Sequence, residues 1–210
     1  PICPVCEGYG QTEAGPVIAY NPLNGVRKTG TVGIAVPETQ VQIVDVNDGE
    51  KILAQGEVGE IRVKGPQVML GYYGRPAETA EALRNGWLYT GDIGWLDAEG
   101  YLTISDRKKE MAIVSGFNVY PREIEEALIC HRGVREAAVI GVPDAYRGEV
   151  LVAYVVADAD ITREAPMAFL AERLVKYKWP SAIHLVPDLP RTGVGKIDKK
   201  QLRSPVTETK

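Results

Sequence analysis

A chain of 210 residues, 45% hydrophobic and 25% charged, carries enough apolar material for one core or two smaller ones. Its net charge of −4 gives no electrostatic footprint for nucleic acid, and no apolar run approaches the length needed to span a bilayer. No secretory leader is visible, and Cys3-Pro-Val-Cys6 has no second Cys or His pair nearby, so the three cysteines, Cys130 included, read as reduced thiols of a cytosolic protein.

Charge is uneven along the chain. Residues 1 to 104 carry seven Lys/Arg against thirteen Asp/Glu, whereas residues 105 to 210 carry seventeen against fifteen. The two halves read as different bodies. The first predicts short strands at Thr31 to Val36, Val41 to Val46 and Glu60 to Lys64, punctuated by Asn47-Asp48-Gly49 and Lys64-Gly65-Pro66. A short helix is expected from Pro76, with proline in its first turn and a stop near Asn85-Gly86. Strands resume over Gly86 to Leu96 and Tyr101 to Ser105.

The second half alternates strand and helix. Met111 to Val114 reads as a strand. Pro121 opens a helix whose Glu123, Glu125 and Glu126 favour the positive end of its dipole and whose Ile124, Ala127 and Leu128 share one face. Ala137 to Val142 and Val150 to Ala157 suit adjacent strands of a half-covered sheet. A second helix after Thr162 would carry Met167, Leu170, Ala171 and Leu174 and end before Trp179-Pro180. Ala182 to Val186 is a last strand. Between the halves, the polar run Ser105 to Glu110 is a natural boundary, readable as a solvated linker or as a hinge. The expected fold class is therefore α+β, a β-rich unit followed by a small α+β domain.

Four stretches carry chemistry. Gly8-Tyr9-Gly10-Gln11-Thr12-Glu13 is a glycine-spaced turn able to stack a base on Tyr9, reach a phosphate from Thr12 and place Glu13 on magnesium. Tyr89-Thr90-Gly91-Asp92 offers a carboxylate on a tight turn, suited to two adjacent ribose hydroxyls. Asp106-Arg107-Lys108-Lys109 is followed by Ser115-Gly116-Phe117. Finally, Leu189-Pro-Arg-Thr-Gly-Val-Gly-Lys196 is no Walker loop, because Gly193 and Gly195 are one residue apart and Lys196 is followed by Ile197. It reads as a hairpin that holds Lys196 outward. His131 and His184 lack a Ser or Cys partner at suggestive spacing and are set aside.

Taken in order, these motifs resemble the adenylate-forming superfamily of acyl-CoA synthetases, peptide-synthetase adenylation domains and luciferases. The stretches 64 to 76, 86 to 97 and 106 to 125 look most like bacterial long-chain fatty-acid CoA ligases. The resemblance implies ATP-dependent formation of an acyl-adenylate, then transfer to coenzyme A. It implies that Tyr9 packs on adenine beside Gly10, Thr12 contacts the α-phosphate, Glu13 helps hold Mg2+, Asp92 and Arg107 bind the ribose, and Lys196 bridges carboxylate and phosphate oxygens. Lys109 matches the family's hinge, and Gly116 the lining of the pantetheine tunnel.

By the same resemblance, residues 1 to 106 are the C-terminal part of the large domain and 107 to 210 the small mobile one. The chain then reads as a fragment, inactive alone, whose partners are a fatty acid, ATP, CoA and the missing N-terminal portion. Glu110 and Ala112 depart from the family's commoner residues. Lys199, Lys200 and Arg203 are left between CoA phosphate contacts and a solvated face. A cytoplasmic location is expected, with a peripheral membrane association, a homodimer, a carrier-protein acceptor and a non-catalytic binding module left open.

Overall fold

In the computed structural model, residues 5–203 are described. The chain divides into two compact units, and the break falls between Lys108 and Lys109.

Among its described residues the first unit holds two sheets. Strands β1 (Gly8–Gly10), β2 (Val17–Tyr20) and β3 (Ile34–Ala35) form an antiparallel three-stranded sheet. Its first ladder bulges: Tyr9 pairs with Ala19 but Gly10 with Val17, so Ile18 is the extra residue, and it is fully buried. The second sheet joins β4 (Gln40–Val44), β5 (Gly59–Lys64), β6 (Leu83–Arg84), β7 (Trp87–Leu96) and β8 (Leu102–Arg107), with helix α1 (Pro76–Ala82) leading into β6. Strand β5 lies between β4 and β7 and is buried on both faces. Ile61 and Val63 enter a core with Ile18, Ile43, Leu88 and Leu102. On the other face of β5 stand Glu60 and Arg62, both buried and both partnered: Lys108 Nζ lies 2.7 Å from Glu60 Oε2, and Arg62 donates to Gln42 Oε1 and to the Tyr89 hydroxyl.

The second unit is a five-stranded sheet of β9 (Ala112–Val114), β10 (Phe117–Val119), β11 (Val134–Asp144), β12 (Gly148–Ala157) and β13 (Ala182–Leu185). Among the described residues, three helices accompany it, α2 (Pro121–Ile129), α3 (Glu164–Ala171) and α4 (Lys199–Arg203). Alternation along β11 sorts its side chains between two faces. Ala137 and Val139 pack with Ile124 and Leu128 of α2 and Leu170 of α3. Ala138 points the other way, into a smaller cluster with Val156 and Leu189 that Ile197 and Leu202 cover. The sheet expected to be half-covered thus has apolar cover on both faces, the second supplied by the terminal hairpin and α4.

Three further local expectations change. Ser105, Asp106 and Arg107 belong to β8, with Ile93 paired to Asp106 and Asp92 to Arg107, and only Lys108–Glu110 form a 3-10 turn. Cross-strand pairing overrides their polarity. Leu174 lies past the end of α3, and its carbonyl accepts from the Trp179 indole at 2.8 Å. Tyr89 to Asp92 is no isolated turn: it lies inside the ten-residue strand β7. No helix among the described residues is long and apolar enough to cross a membrane.

Candidate nucleotide and acyl-transfer site

The first unit brings two of the predicted residues, Tyr9 and Arg107, onto the carboxylate of a third, Asp92. Strand β7 pairs with β5 through Tyr89 opposite Arg62 and Ile93 opposite Glu60, which leaves Thr90, Gly91 and Asp92 facing Ile61 alone. The feature at Thr90 to Asp92 is a bulge within a strand. Gly91 takes a φ of +69°, and Thr90 stitches the loop by donating its hydroxyl to the Ile61 carbonyl and accepting the Asp92 N–H. A bulge re-aims the side chain that follows it, here Asp92.

Asp92 is 3% exposed, and both of its oxygens are engaged. Tyr9 donates its phenol to Oδ2 at 2.6 Å, and Arg107 lies 2.8 Å from Oδ1 through its Nε. Burial first, and then the Asp92 charge, push the Tyr9 phenol well above its ordinary value, so it remains a donor. Arg107 keeps 58% of its side chain exposed, so its guanidinium is available to a further ligand. A carboxylate has about four lone-pair positions, so these two partners leave Asp92 capacity to accept a hydroxyl. Tyr9 also lines a hollow of about 690 Å³ with Gly8, Pro16, Val17 and Ala19.

Gly10 is there for a steric reason. A Cβ at this position would stand 1.8 Å from the Pro16 carbonyl oxygen, because the bulged ladder draws the two backbones together. One turn on, Thr12–Ala14 form a 3-10 turn closed by Gly15 at φ +60°. Thr12 is exposed. Glu13 is held from both ends: its carbonyl accepts the Met69 N–H, and its Oε1 accepts the Tyr72 hydroxyl at 2.9 Å. Burial and the Glu13 carboxylate raise the Tyr72 phenol above its usual value. Sequence reasoning gave Tyr72 no role, although the Leu70-Gly-Tyr-Tyr-Gly stretch that contains it was among those carrying the resemblance. Among the described residues no three His, Cys, Asp or Glu side chains cluster to hold a metal ion. Glu13 presents a single carboxylate on the Thr12–Ala14 turn, and magnesium beside a nucleotide is commonly held by one or two carboxylates together with phosphate oxygens.

In the second unit, Ser115 and Gly116 form the two-residue turn between β9 and β10, with φ values of +51° and +84°. Positive φ at both positions is the tight-hairpin pattern that favours glycine. A Cβ at Gly116 would meet nothing within 4 Å in this chain, so backbone conformation accounts for the glycine here. Lys109 is exposed, in the Lys108–Glu110 turn. Lys196 sits on a hairpin: Arg191 bridges to Ile197, Thr192 N–H donates to the Lys196 carbonyl at 2.7 Å, and Gly195 N–H to the Thr192 carbonyl at 2.8 Å. Its side chain is exposed. Both histidines have aromatic neighbours, His131 edge-on to Phe169 and His184 stacked on Tyr154. Cys6 and Cys130 are free thiols, and Cys3 lies outside the described residues.

Known sequences decide what this arrangement belongs to. Residues 1–73 match the AMP-binding enzyme family and residues 123–196 match the AMP-binding enzyme C-terminal domain. The chain belongs to the adenylate-forming enzymes. Among these, it is 48% identical over 204 residues to a long-chain-fatty-acid–CoA ligase of Bacillus subtilis, which covers 96% of this chain and 36% of that one. To a 2-succinylbenzoate–CoA ligase of Bacillus pumilus it is 41% identical, over 96% of this chain and 41% of the relative. The crystal structure of ATP-bound MatB from Rhodopseudomonas palustris superposes with a TM-score of 0.88 at 42% identity, covering 95% of this chain and 40% of that one. This adenylate-forming chain thus spans little more than a third of the length of the Bacillus subtilis ligase.

Proposed function

We propose that this chain is the C-terminal portion of an acyl-CoA ligase acting on medium- to long-chain fatty acids. In the first step a carboxylate oxygen attacks the α-phosphorus of ATP and the bond to the bridging oxygen breaks, releasing pyrophosphate. In the second, the CoA sulfur attacks the acyl carbon, the acyl–oxygen bond breaks, and AMP leaves with that oxygen. The observation that carries the reading is the Asp92 constellation: a buried carboxylate fixed by Tyr9 and Arg107, next to the Thr12–Glu13 turn.

Asp92 and Arg107 bind the ribose hydroxyls, and the Tyr9 ring faces the adenine. Thr12 donates to the α-phosphate. Magnesium, when bound, neutralises phosphate charge, and Glu13 supplies its carboxylate. Charge moves onto transferring oxygens as pyrophosphate leaves, and a positioned ammonium, that of Lys196, stabilises it. Between the two steps the small domain turns about Lys109, and the Gly116 hairpin then meets the pantetheine arm. Greater similarity to the fatty-acid ligase than to the succinylbenzoate ligase, 48% against 41%, favours the fatty acid.

The test is a coupled assay of the full-length ligase with ATP, CoA and acids from acetate to oleate. A CoA thioester that forms fastest with the longer acids is expected, and AMP and pyrophosphate release without any CoA thioester would indicate a carrier-protein acceptor instead. In the same protein, Lys196→Ala should abolish adenylate formation and spare thioester formation from supplied acyl-adenylate. Lys109→Pro should fix one φ near −65° and impair the second step more than the first.

A further inference from the structure

The hairpin that carries Lys196 has almost nothing apolar to hold its tip. Arg191 to Lys196 are all exposed, and Val194 is 82% exposed. Its base is anchored, because Leu189 is 2% exposed and Ile197 packs against the small cluster on that face of the sheet. Beyond the base, one side chain spans the loop. Arg191 donates through Nη1 to the Gly195 carbonyl at 3.2 Å and through Nη2 to both oxygens of Glu136, at 2.8 and 2.6 Å. Glu136 is part of β11, a strand paired with β12 along its whole length. The residue immediately before Lys196 is thus tied to the sheet by a single guanidinium.

We infer that Arg191 and Glu136 form a strut that positions Lys196, an inference that rests on the adenylation role proposed for that lysine. Magnitude argues for positioning over stability. The two side chains are 41% and 37% exposed, and ion pairs of that exposure contribute only about 0–1 kcal/mol to folding. A misplacement of about 1 Å in a reacting group can nevertheless cost about a hundredfold in rate. Arginine is the suitable residue, because its planar fork serves a carboxylate and a carbonyl at once; lysine offers a point charge.

The strut touches no substrate, so its signature is selective. In the full-length ligase, Arg191→Ala and Glu136→Ala should each lower the rate of adenylate formation by about 10- to 100-fold. Thioester formation from supplied acyl-adenylate and the thermal midpoint should stay near wild type. Arg191→Lys, which keeps the charge but not the fork, should recover only part of the rate, and the double alanine variant should be no slower than the worse single one. Equal loss in both half-reactions, or a fall that tracks the thermal midpoint, would overturn the strut. So would an unchanged adenylation rate in Arg191→Ala when Lys196→Ala abolishes it. If Lys196→Ala itself adenylates normally, the role given to the lysine fails, and the strut with it.

Discussion

The Tyr9 hydroxyl and Asp92 Oδ2 meet at 2.6 Å across 83 residues of chain, and that bond occupies one oxygen of a buried carboxylate in the candidate site. Tyr9→Phe keeps the ring and removes the donor. The Asp92 oxygen then loses its partner inside the protein, at an expected cost of about 1–3 kcal/mol in the unfolding free energy of this chain. The pH dependence has a definite sign. A free phenol titrates near pH 10, whereas burial and Asp92 hold the Tyr9 phenol protonated well above that. Its contribution is fully present below about pH 10. Above it the unfolded chain releases the proton first, so stability falls until the folded phenol also ionises. Urea midpoints taken through the alkaline range should therefore decline more steeply in wild type than in Tyr9→Phe, and parallel declines would refute the assignment.

Gly10 and Gly116 stand in motifs of equal prominence but for different physical reasons. Gly10→Ala drives a Cβ onto the Pro16 carbonyl, which only backbone movement can relieve, and should cost about 3 kcal/mol by splaying β1 from β2. Gly116→Ala meets open space and carries only the strain of φ +84°, about 1–2 kcal/mol. Asparagine tolerates left-handed backbone, so Gly116→Asn should cost less than Gly116→Ala. No such rescue is available at Gly10. Chemical denaturation of the four variants, Gly10→Asn included, separates the cases; equal costs for alanine and asparagine at Gly116 would contradict the conformational account.

The sequence is most legible where structure is local. Proline in a first turn followed by an apolar stripe placed α2 from Pro121, and two glycines one residue apart with Ile197 after the lysine placed Lys196 on a hairpin. The sequence alone reads as a turn at Thr90 to Asp92, because glycine beside aspartate is the same local signal in a turn and in a bulge; pairing with β5 and β8 decides between them. Helix α4 was missed for a related reason. Its five residues Lys199–Arg203 show no stripe beyond Leu202, and ion pairs of Lys199 with Glu125 and of Arg203 with Glu110 hold it. The Asp92 constellation itself was only half visible. Residue types and spacing suggested ribose binding, but that Tyr9 and Arg107 divide the two oxygens between them is a tertiary fact.

The same kind of distant pairing ends the first unit. Glu60 has a side chain only 4% exposed, and its cation is Lys108, the last residue before the break between the units. Lys108→Met removes the charge while keeping most of the stem, and leaves Glu60 as an uncompensated buried carboxylate. Because Lys108 is itself 38% exposed, water offsets part of that penalty, and about 1–3 kcal/mol is expected. Adding Glu60→Gln should restore much of the loss, since replacing both members of a buried pair is often near neutral whereas removing one is not. Trp87 and Trp95 lie in β7 and Trp179 in the second unit, so a Trp179→Phe background makes tryptophan fluorescence report on the first unit alone. Urea unfolding of the two single variants and the double in that background gives the coupling energy directly. A double variant whose loss equals the sum of the singles would show that Glu60 does not depend on Lys108. Strong coupling would mean that the residue preceding Lys109 is fastened to β5 through Glu60.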